Sequence, residues 1–340
     1  MAGLQDPGPA RTCCGGSPGT CREDHGEPGG RPRLRSRLVL ADREAGLFQQ
    51  GSDGREVLAG ALSVGLPAPA DSAPAPIYVA LGDSYAAGPV IPLYAKPWGC
   101  LKSTNNYANM LASKYSLTLR DATCSGAETG DMTSPQGVSP DGPNPPQLNS
   151  LSADVSLVTL QIGGNDIGFG GIAQTCAQAA FAQQSCESQY VKNGDDELRD
   201  RIAATGPKVA AVIQEIHTRA PSANVLVLGY PGIFEFGPTA SCPAMLVGEG
   251  DALYLRGIQE ALNGMIADQA AANGATYVDV YTPSAGKTAC DLPVLRWIEP
   301  IVPVNAAAPI HPNINGMAGM AGEVARAAGL PSGSSGLPLP

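Results

Sequence analysis

The sequence predicts an α/β fold built on a parallel sheet covered on both faces. Three observations carry this. From residue 76 onward, short apolar runs alternate with longer stretches of helical pattern. The runs are continuously apolar, as in strands buried on both faces. They are bounded by Gly, Pro or Asn, residues that punctuate strands. The first strand is expected at 77–81 (IYVAL). Others follow at 117–122 (LTLRDA), 156–163 (SLVTLQIG), 224–230 (NVLVLGY) and 275–281 (ATYVDVY), rich in Val, Leu and Tyr. Helices are expected near 105–114, 195–219 and 251–273, with a last one over 313–328. Strand–helix alternation of this kind implies a parallel sheet. Open sheets of this type bind ligands beyond the carboxyl ends of their strands.

The chain has 340 residues, 43% of them hydrophobic, enough for one large core. Its formal net charge of -10 argues against a nucleic-acid partner and against charge-driven adhesion to anionic membranes. There is no run of eighteen apolar residues that would suggest a transmembrane helix. Residues 1–75 are crowded with Gly, Pro, Arg and acidic residues and have no sustained apolar period. They are read as a disordered leader or as no part of the mature protein. Within them, Val57–Leu66 followed by PAPADSAPAP has the pattern of a signal h-region and cleavage zone, although Glu56 beside Arg55 has the wrong sign. A misassigned start of translation is the alternative. One domain is expected over 76–330, with 331–340 as a flexible tail.

Nine cysteines fall into two sets. Cys13, Cys14 and Cys21 lie in the leader, and Cys100, Cys124, Cys176, Cys186, Cys242 and Cys290 lie in the domain. The second set has no CxxC pair, so zinc spacing is absent and no metal is expected. Three disulfides in an exported protein are expected. Six cysteines allow fifteen pairings. Proximity favours Cys176–Cys186, and spacing leaves the rest open.

The run IYVAL stops at Gly82-Asp83-Ser84. A serine at a strand's carboxyl end, on a tight turn into a helix, presents its hydroxyl to the ligand crevice. A helix-capping serine would look the same. A serine nucleophile needs a base and an oxyanion site. Of three histidines, His25 is in the leader and His217 sits late in a helix, which leaves His311 in a loop before the last helix. Two further blocks could supply donors. Gly163-Gly164-Asn165 closes the third strand, and an Asn amide can donate to an oxyanion. Gly126, in the loop after the second strand, offers a backbone N–H. Each block alone could be an ordinary turn, but all four fall at one edge of the sheet.

Taken together, the blocks GDSYAAG (Ser84), CSGAETGD (Gly126), IGGNDIGF (Asn165) and HPNINGMAGMA (His311) resemble those of the SGNH (GDSL-type) hydrolase family, in family order over residues 76–328. The third block and the six cysteines look most like the secreted actinomycete lipase and esterase branch. The resemblance implies a three-layer α/β/α sandwich of flavodoxin type, with a sheet of about five strands. It implies Ser84 as nucleophile and His311 as general base. It implies an oxyanion hole formed by the Ser84 N–H, the Gly126 N–H and the Asn165 side chain. It also implies the pairings Cys100–Cys124, Cys176–Cys186 and Cys242–Cys290.

One position departs from the family pattern. Most members carry Asp three residues before the histidine, and here residue 308 is alanine. The expectation is that the carbonyl of Ala308 or Pro309 accepts the Nδ1–H of His311 instead. A carboxylate folding back from Asp291 or Glu299 is the alternative. Asp83, Asp166 and Asp279 are read as buried or capping acids.

The stretch DLPVLRWIEPIVPVNAAAPI before His311 and PVIPLY after Ser84 are apolar, and could line an acyl pocket or be core. An apolar rim favours acyl esters or lipids over sugar esters. The function expected is a secreted, monomeric serine ester hydrolase, a lipase or carboxylesterase, needing no cofactor. Phospholipase, polysaccharide O-deacetylase and inactive binding domain are the alternatives.

Overall fold

The computed structural model describes residues 74–238 and 242–331. The expected leader and tail lie almost wholly outside the described residues. Five parallel strands form the main sheet: β1 (Ile77–Gly82), β2 (Thr118–Asp121), β3 (Val155–Gln161), β4 (Asn224–Leu228) and β5 (Thr276–Val278). Their order is β2-β1-β3-β4-β5. This is the flavodoxin-type doubly wound order, in which the connection reverses between β1 and β3 and opens a crevice there.

Alternate strand residues feed two cores. Val79, Leu81, Val158, Leu160, Val225 and Val227 pack on one face. Tyr78, Ala80, Leu157, Leu226 and Leu228 pack on the other. Helices α4 (Glu197–Arg219) and α5 (Glu249–Ala272) cover the first face. Helices α2 (Tyr107–Tyr115) and α6 (Ile314–Ala327) cover the second. Between β1 and α2 lies the single-turn helix α1 (Ser84–Ala87), and α3 (Phe169–Phe181) follows β3. Side-chain caps start several of these helices: Asp196 for α4 and Asn313 for α6. The glycine spacing of α6 has a packing reason. Trp297 packs directly on the helix, and a Cβ on Gly319 would stand 2.1 Å from its Cζ2.

Apart from β1, the strands are shorter than the apolar runs suggest. The 224–230 run leaves the sheet after Leu228, which frees Tyr230 to face the crevice. The 275–281 run ends at Val278, because Asp279 accepts from the N–H groups of Tyr281 and Thr282 and turns the chain. Helix α3 is not among the helices expected from sequence. The disulfides are Cys100–Cys124, Cys176–Cys186 and Cys242–Cys290. Among the described residues, no helix is long and apolar enough to cross a membrane.

Candidate active site

Each of the five strands is followed in the chain by one residue of interest: Ser84 after β1, Gly126 after β2, Asn165 after β3, Tyr230 after β4 and His311 after β5, and all but Gly126 line one cavity. The turn that carries Ser84 is tightly specified. Gly82 has φ +148°, and a Cβ there would stand 2.5 Å from the Gln161 carbonyl oxygen. The Gln147 side chain braces the same glycine on both sides, accepting from its N–H at 2.8 Å and donating to its carbonyl at 2.9 Å. Asp83 caps α1 by accepting from the Tyr85 N–H at 2.9 Å, so Ser84 begins the helix with its hydroxyl free. Gly82→Ala is expected to destabilise the fold by about 3 kcal/mol, from overpacking and strained backbone together. A denaturation midpoint equal to that of the parent would show that the turn relaxes.

Ser84 Oγ and His311 Nε2 are 2.8 Å apart. The other imidazole nitrogen, Nδ1, lies 2.7 Å from the Pro309 carbonyl oxygen. A carbonyl can only accept, so Nδ1 carries the proton and Nε2 is left to accept from the serine hydroxyl. Of the two carbonyls expected, Pro309 is the one engaged. The Ala308 carbonyl instead accepts from the His311 backbone N–H at 3.2 Å, closing a turn.

Neither alternative carboxylate reaches the imidazole. Asp291 is occupied by Thr288, accepting from its N–H at 2.7 Å and its hydroxyl at 2.9 Å. Glu299 is fully buried and accepts from the Asn305 side chain and N–H, the Asn313 side chain and the Val304 N–H. Burial alone would raise its pKa, but these donors outweigh it and hold the carboxyl below its usual range. Its role is to shape the 299–313 loop. Asp166 likewise accepts from the Thr129 N–H and hydroxyl, away from the serine.

Asn165 Nδ2 donates to the Ala127 carbonyl at 2.9 Å, which spends one of its two hydrogens. The same contact ties the loop bearing Gly126 to the end of β3. Cys124 ties that loop to the serine turn, since its N–H donates to the Gly82 carbonyl at 3.0 Å. Gly126 stands in the left-handed region at φ +80°. Among the described residues, neither its N–H nor that of Ser84 has an acceptor. Ser84, Asn165 and His311 line one cavity, and Gly126 is not among its lining residues.

Tyr230 and Tyr85 are site residues that sequence reasoning missed. The Tyr230 hydroxyl donates to Asp83 at 2.5 Å and accepts from the Gly164 N–H at 2.8 Å, bridging the serine turn to the Asn165 turn. Burial pushes the Asp83 carboxyl up to about 7, against the opposing pull of that hydroxyl. Burial also pushes the His311 imidazole below its ordinary value, against the pull of the Pro309 carbonyl.

The cavity beside Ser84 has a volume of about 140 Å³. Its walls are Ile167, Phe169 and Ile172 from the start of α3, Ile233 and Phe234 after β4, and Leu255, Ile258 and Leu262 from α5. The two segments read as pocket lining or core contribute only Ile301 and Ile310 to it. Most of the apolar side chains of these segments point outward. Leu93, Leu292, Val294, Val302 and Val304 are exposed, while Arg296 and Glu299 are buried. The arrangement can therefore pass a proton from a serine hydroxyl to an imidazole at the mouth of an apolar chamber, with open N–H donors beside it.

A model of the GDSL-like Lipase/Acylhydrolase family matches residues 80–318. Lipase 2 of Streptomyces coelicolor is 39% identical over 263 residues, covering 75% of this chain and 86% of that protein. Among solved structures, an extracellular lipase from Streptomyces rimosus aligns with a TM-score of 0.63 at 29% identity, over 74% of this chain and 100% of the other. A phospholipase A1 from Streptomyces albidoflavus NA297 aligns at 0.60 and 27%, over 75% of this chain and 100% of the other. Likeness of that reach, over the whole crevice and the sheet beneath it, makes the chain a lipase/esterase-type enzyme of the GDSL-like lipase/acylhydrolase family.

Proposed function

We propose that the protein is an exported ester hydrolase that cleaves acyl esters through a serine–histidine mechanism and an acyl-enzyme. One observation carries this reading. Ser84 Oγ lies 2.8 Å from a histidine nitrogen whose partner nitrogen is anchored on a carbonyl, at the mouth of an apolar cavity. Ser84 Oγ attacks the ester carbonyl carbon while its proton passes to His311 Nε2. The carbonyl electrons move onto oxygen, where the N–H groups of Ser84 and Gly126 and the free hydrogen of Asn165 Nδ2 receive the charge. One such donor contributes about 3 kcal/mol. As the tetrahedral carbon collapses, the C–O bond to the alcohol breaks and the alcohol leaves with the proton from His311. Water then gives a proton to His311, attacks the acyl carbon and releases the acid, and Ser84 regains its proton.

The aliphatic and aromatic walls favour an acyl chain over a sugar as the group held. A phospholipid is the second reading, supported by the likeness to a phospholipase A1 and by the same apolar chamber. Export is supported by three disulfides and by likeness to an extracellular lipase. The test is turnover of p-nitrophenyl esters of increasing acyl length, and of a phosphatidylcholine, by the full chain and by Ser84→Ala. Activity that rises with chain length and vanishes in Ser84→Ala is expected. Turnover of acetylated sugars alone would overturn the acyl-chain reading.

The base must be neutral to accept the serine proton, so activity rises with pH through the pKa of His311. Burial depresses that pKa. The acid limb of kcat/KM is therefore expected below the ordinary imidazole value of about 6.5. A limb near 7 that disappears in Asp83→Asn would assign the titration to Asp83 instead.

A further inference from the structure

We infer that Tyr85 is a positioning residue for His311, a side-chain strut that joins the nucleophile's own helix to the loop of the base. This rests on the reading of Ser84 and His311 as the reacting pair. Tyr85 follows Ser84 directly in α1 and is only 3% exposed. Its backbone is fixed through the Asp83 carboxylate. Its ring is wedged edge-on against Tyr230 at 5.0 Å and Phe169 at 6.2 Å between centroids. From that fixed position its hydroxyl donates to the Ile310 carbonyl at 2.6 Å, across 225 residues of sequence. Burial pushes the phenol far above its ordinary pKa, so it stays a donor at every working pH.

The contact falls where the loop needs support. Ile310 has φ +59°, a left-handed conformation that a β-branched residue adopts at a cost. Its own N–H reaches only the Pro300 carbonyl, at 3.4 Å. Main-chain bonds hold His311 itself: its N–H donates to Ala308, and its carbonyl accepts from Glu299 at 3.0 Å. The carbonyl side of the peptide between Ile310 and His311 is held by a side chain, that of Tyr85. In the usual arrangement a carboxylate aims the imidazole, but residue 308 is alanine and its N–H is bonded to the Pro89 carbonyl. Tyr85 aims the histidine from the backbone side and leaves the tautomer to Pro309.

The ring has a second effect. Its centroid lies 5.0 Å from that of the imidazole, at an interplanar angle of 37°. An imidazolium formed there lies within range of the aromatic quadrupole. A neutral carbonyl stabilises that cation less than a carboxylate does, and the ring makes up part of the difference. The other titratable groups lining the cavity are Asp83 and Tyr230. The Glu299 carboxyl faces Asn305, Asn313 and Val304 rather than the imidazole.

Two variants separate the hydroxyl from the ring: Tyr85→Phe removes the strut and keeps the ring, and Tyr85→Leu removes both. They are assayed in the full chain on a p-nitrophenyl ester beside Ser84→Ala and His311→Ala. Tyr85→Phe is expected to lower kcat about 10- to 100-fold, the scale of a misplaced reacting group, with KM and the acid limb unchanged. Tyr85→Leu is expected to lower kcat further and to move the acid limb down by about half a pH unit. A parental kcat in Tyr85→Phe, with folding confirmed by circular dichroism, overturns the role. So does a rise in KM at constant kcat, which would make Tyr85 a wall of the acyl pocket. If Tyr85→Leu does not fold, Tyr85→Phe alone decides. Undiminished turnover in Ser84→Ala or His311→Ala overturns the serine–histidine reading, and this role with it.

Discussion

His311→Ala is expected to lower kcat for ester hydrolysis by about a millionfold, the scale seen when one member of a serine–histidine unit is removed. The serine hydroxyl at neutral pH is a poor nucleophile unless a base takes its proton in the transition state. In this crevice the imidazole 2.8 Å away is the group placed to do so. Among the described residues the other histidine is His217, in the last turn of α4 and not among the residues lining the cavity. The Ser84→Ala/His311→Ala double variant is expected to be no slower than either single variant, because the two act as one unit. The remaining turnover comes from the donors and the apolar chamber, which still bind and polarise the ester. Additive losses in the double variant would show that serine and histidine act in separate steps.

The second large effect is expected from Asn165→Ala, which removes the side-chain donor proposed for the oxyanion. The loss is about 100- to 1000-fold in kcat with little change in KM, since charge develops on the carbonyl oxygen only beyond the ground state. Asn165 also donates to the Ala127 carbonyl and so helps to hold the Gly126 loop. Asn165→Gln separates the two effects. It keeps an amide but displaces it by one methylene, so a hydrogen bond to Ala127 can re-form without correct aim at the oxyanion. Steady-state kcat and KM for the three proteins decide the matter. A rise in KM at parental kcat would make Asn165 a contact to the bound ester instead.

Much of the sheet was legible because buried parallel strands are continuously apolar and end abruptly. IYVAL and SLVTLQ declare β1 and β3 without ambiguity. The last helix, expected over 313–328, runs from Ile314 to Ala327 behind a cap at Asn313. Helix α3 was missed because its first turn, Phe169-Gly170-Gly171, carries loop signals. Its buried Ile172, Cys176 and Ala179, spaced at four and then three, were the signal available. The serine, histidine, asparagine and glycine were legible as four blocks in order. The tyrosines were not: Tyr230 read as the last residue of a strand, and Tyr85 carried no reading beyond its place in the block GDSYAAG. Each acts through a hydroxyl whose partner lies far away in sequence, Asp83 for the first and Ile310 for the second. The chamber walls were left open between pocket and core for a related reason. An apolar loop residue can face inward or outward, and in the 292–304 segment burying Arg296 and Glu299 turned the aliphatic side chains outward.

The atom that sets the tautomer of His311 belongs to the main chain at Pro309. Every amino acid carries that oxygen, so no change of codon at position 309 deletes it. An enzyme that relies on an aspartate for the same task can lose it to a single nucleotide. Here the vulnerability moves from the identity of one residue to the path of the chain. That path is written in the left-handed turn at Ile310 and in the contacts that hold it. The side chain at 309 carries none of that task, and on the role proposed for Tyr85 the task falls in part on a position 225 residues upstream of Ile310.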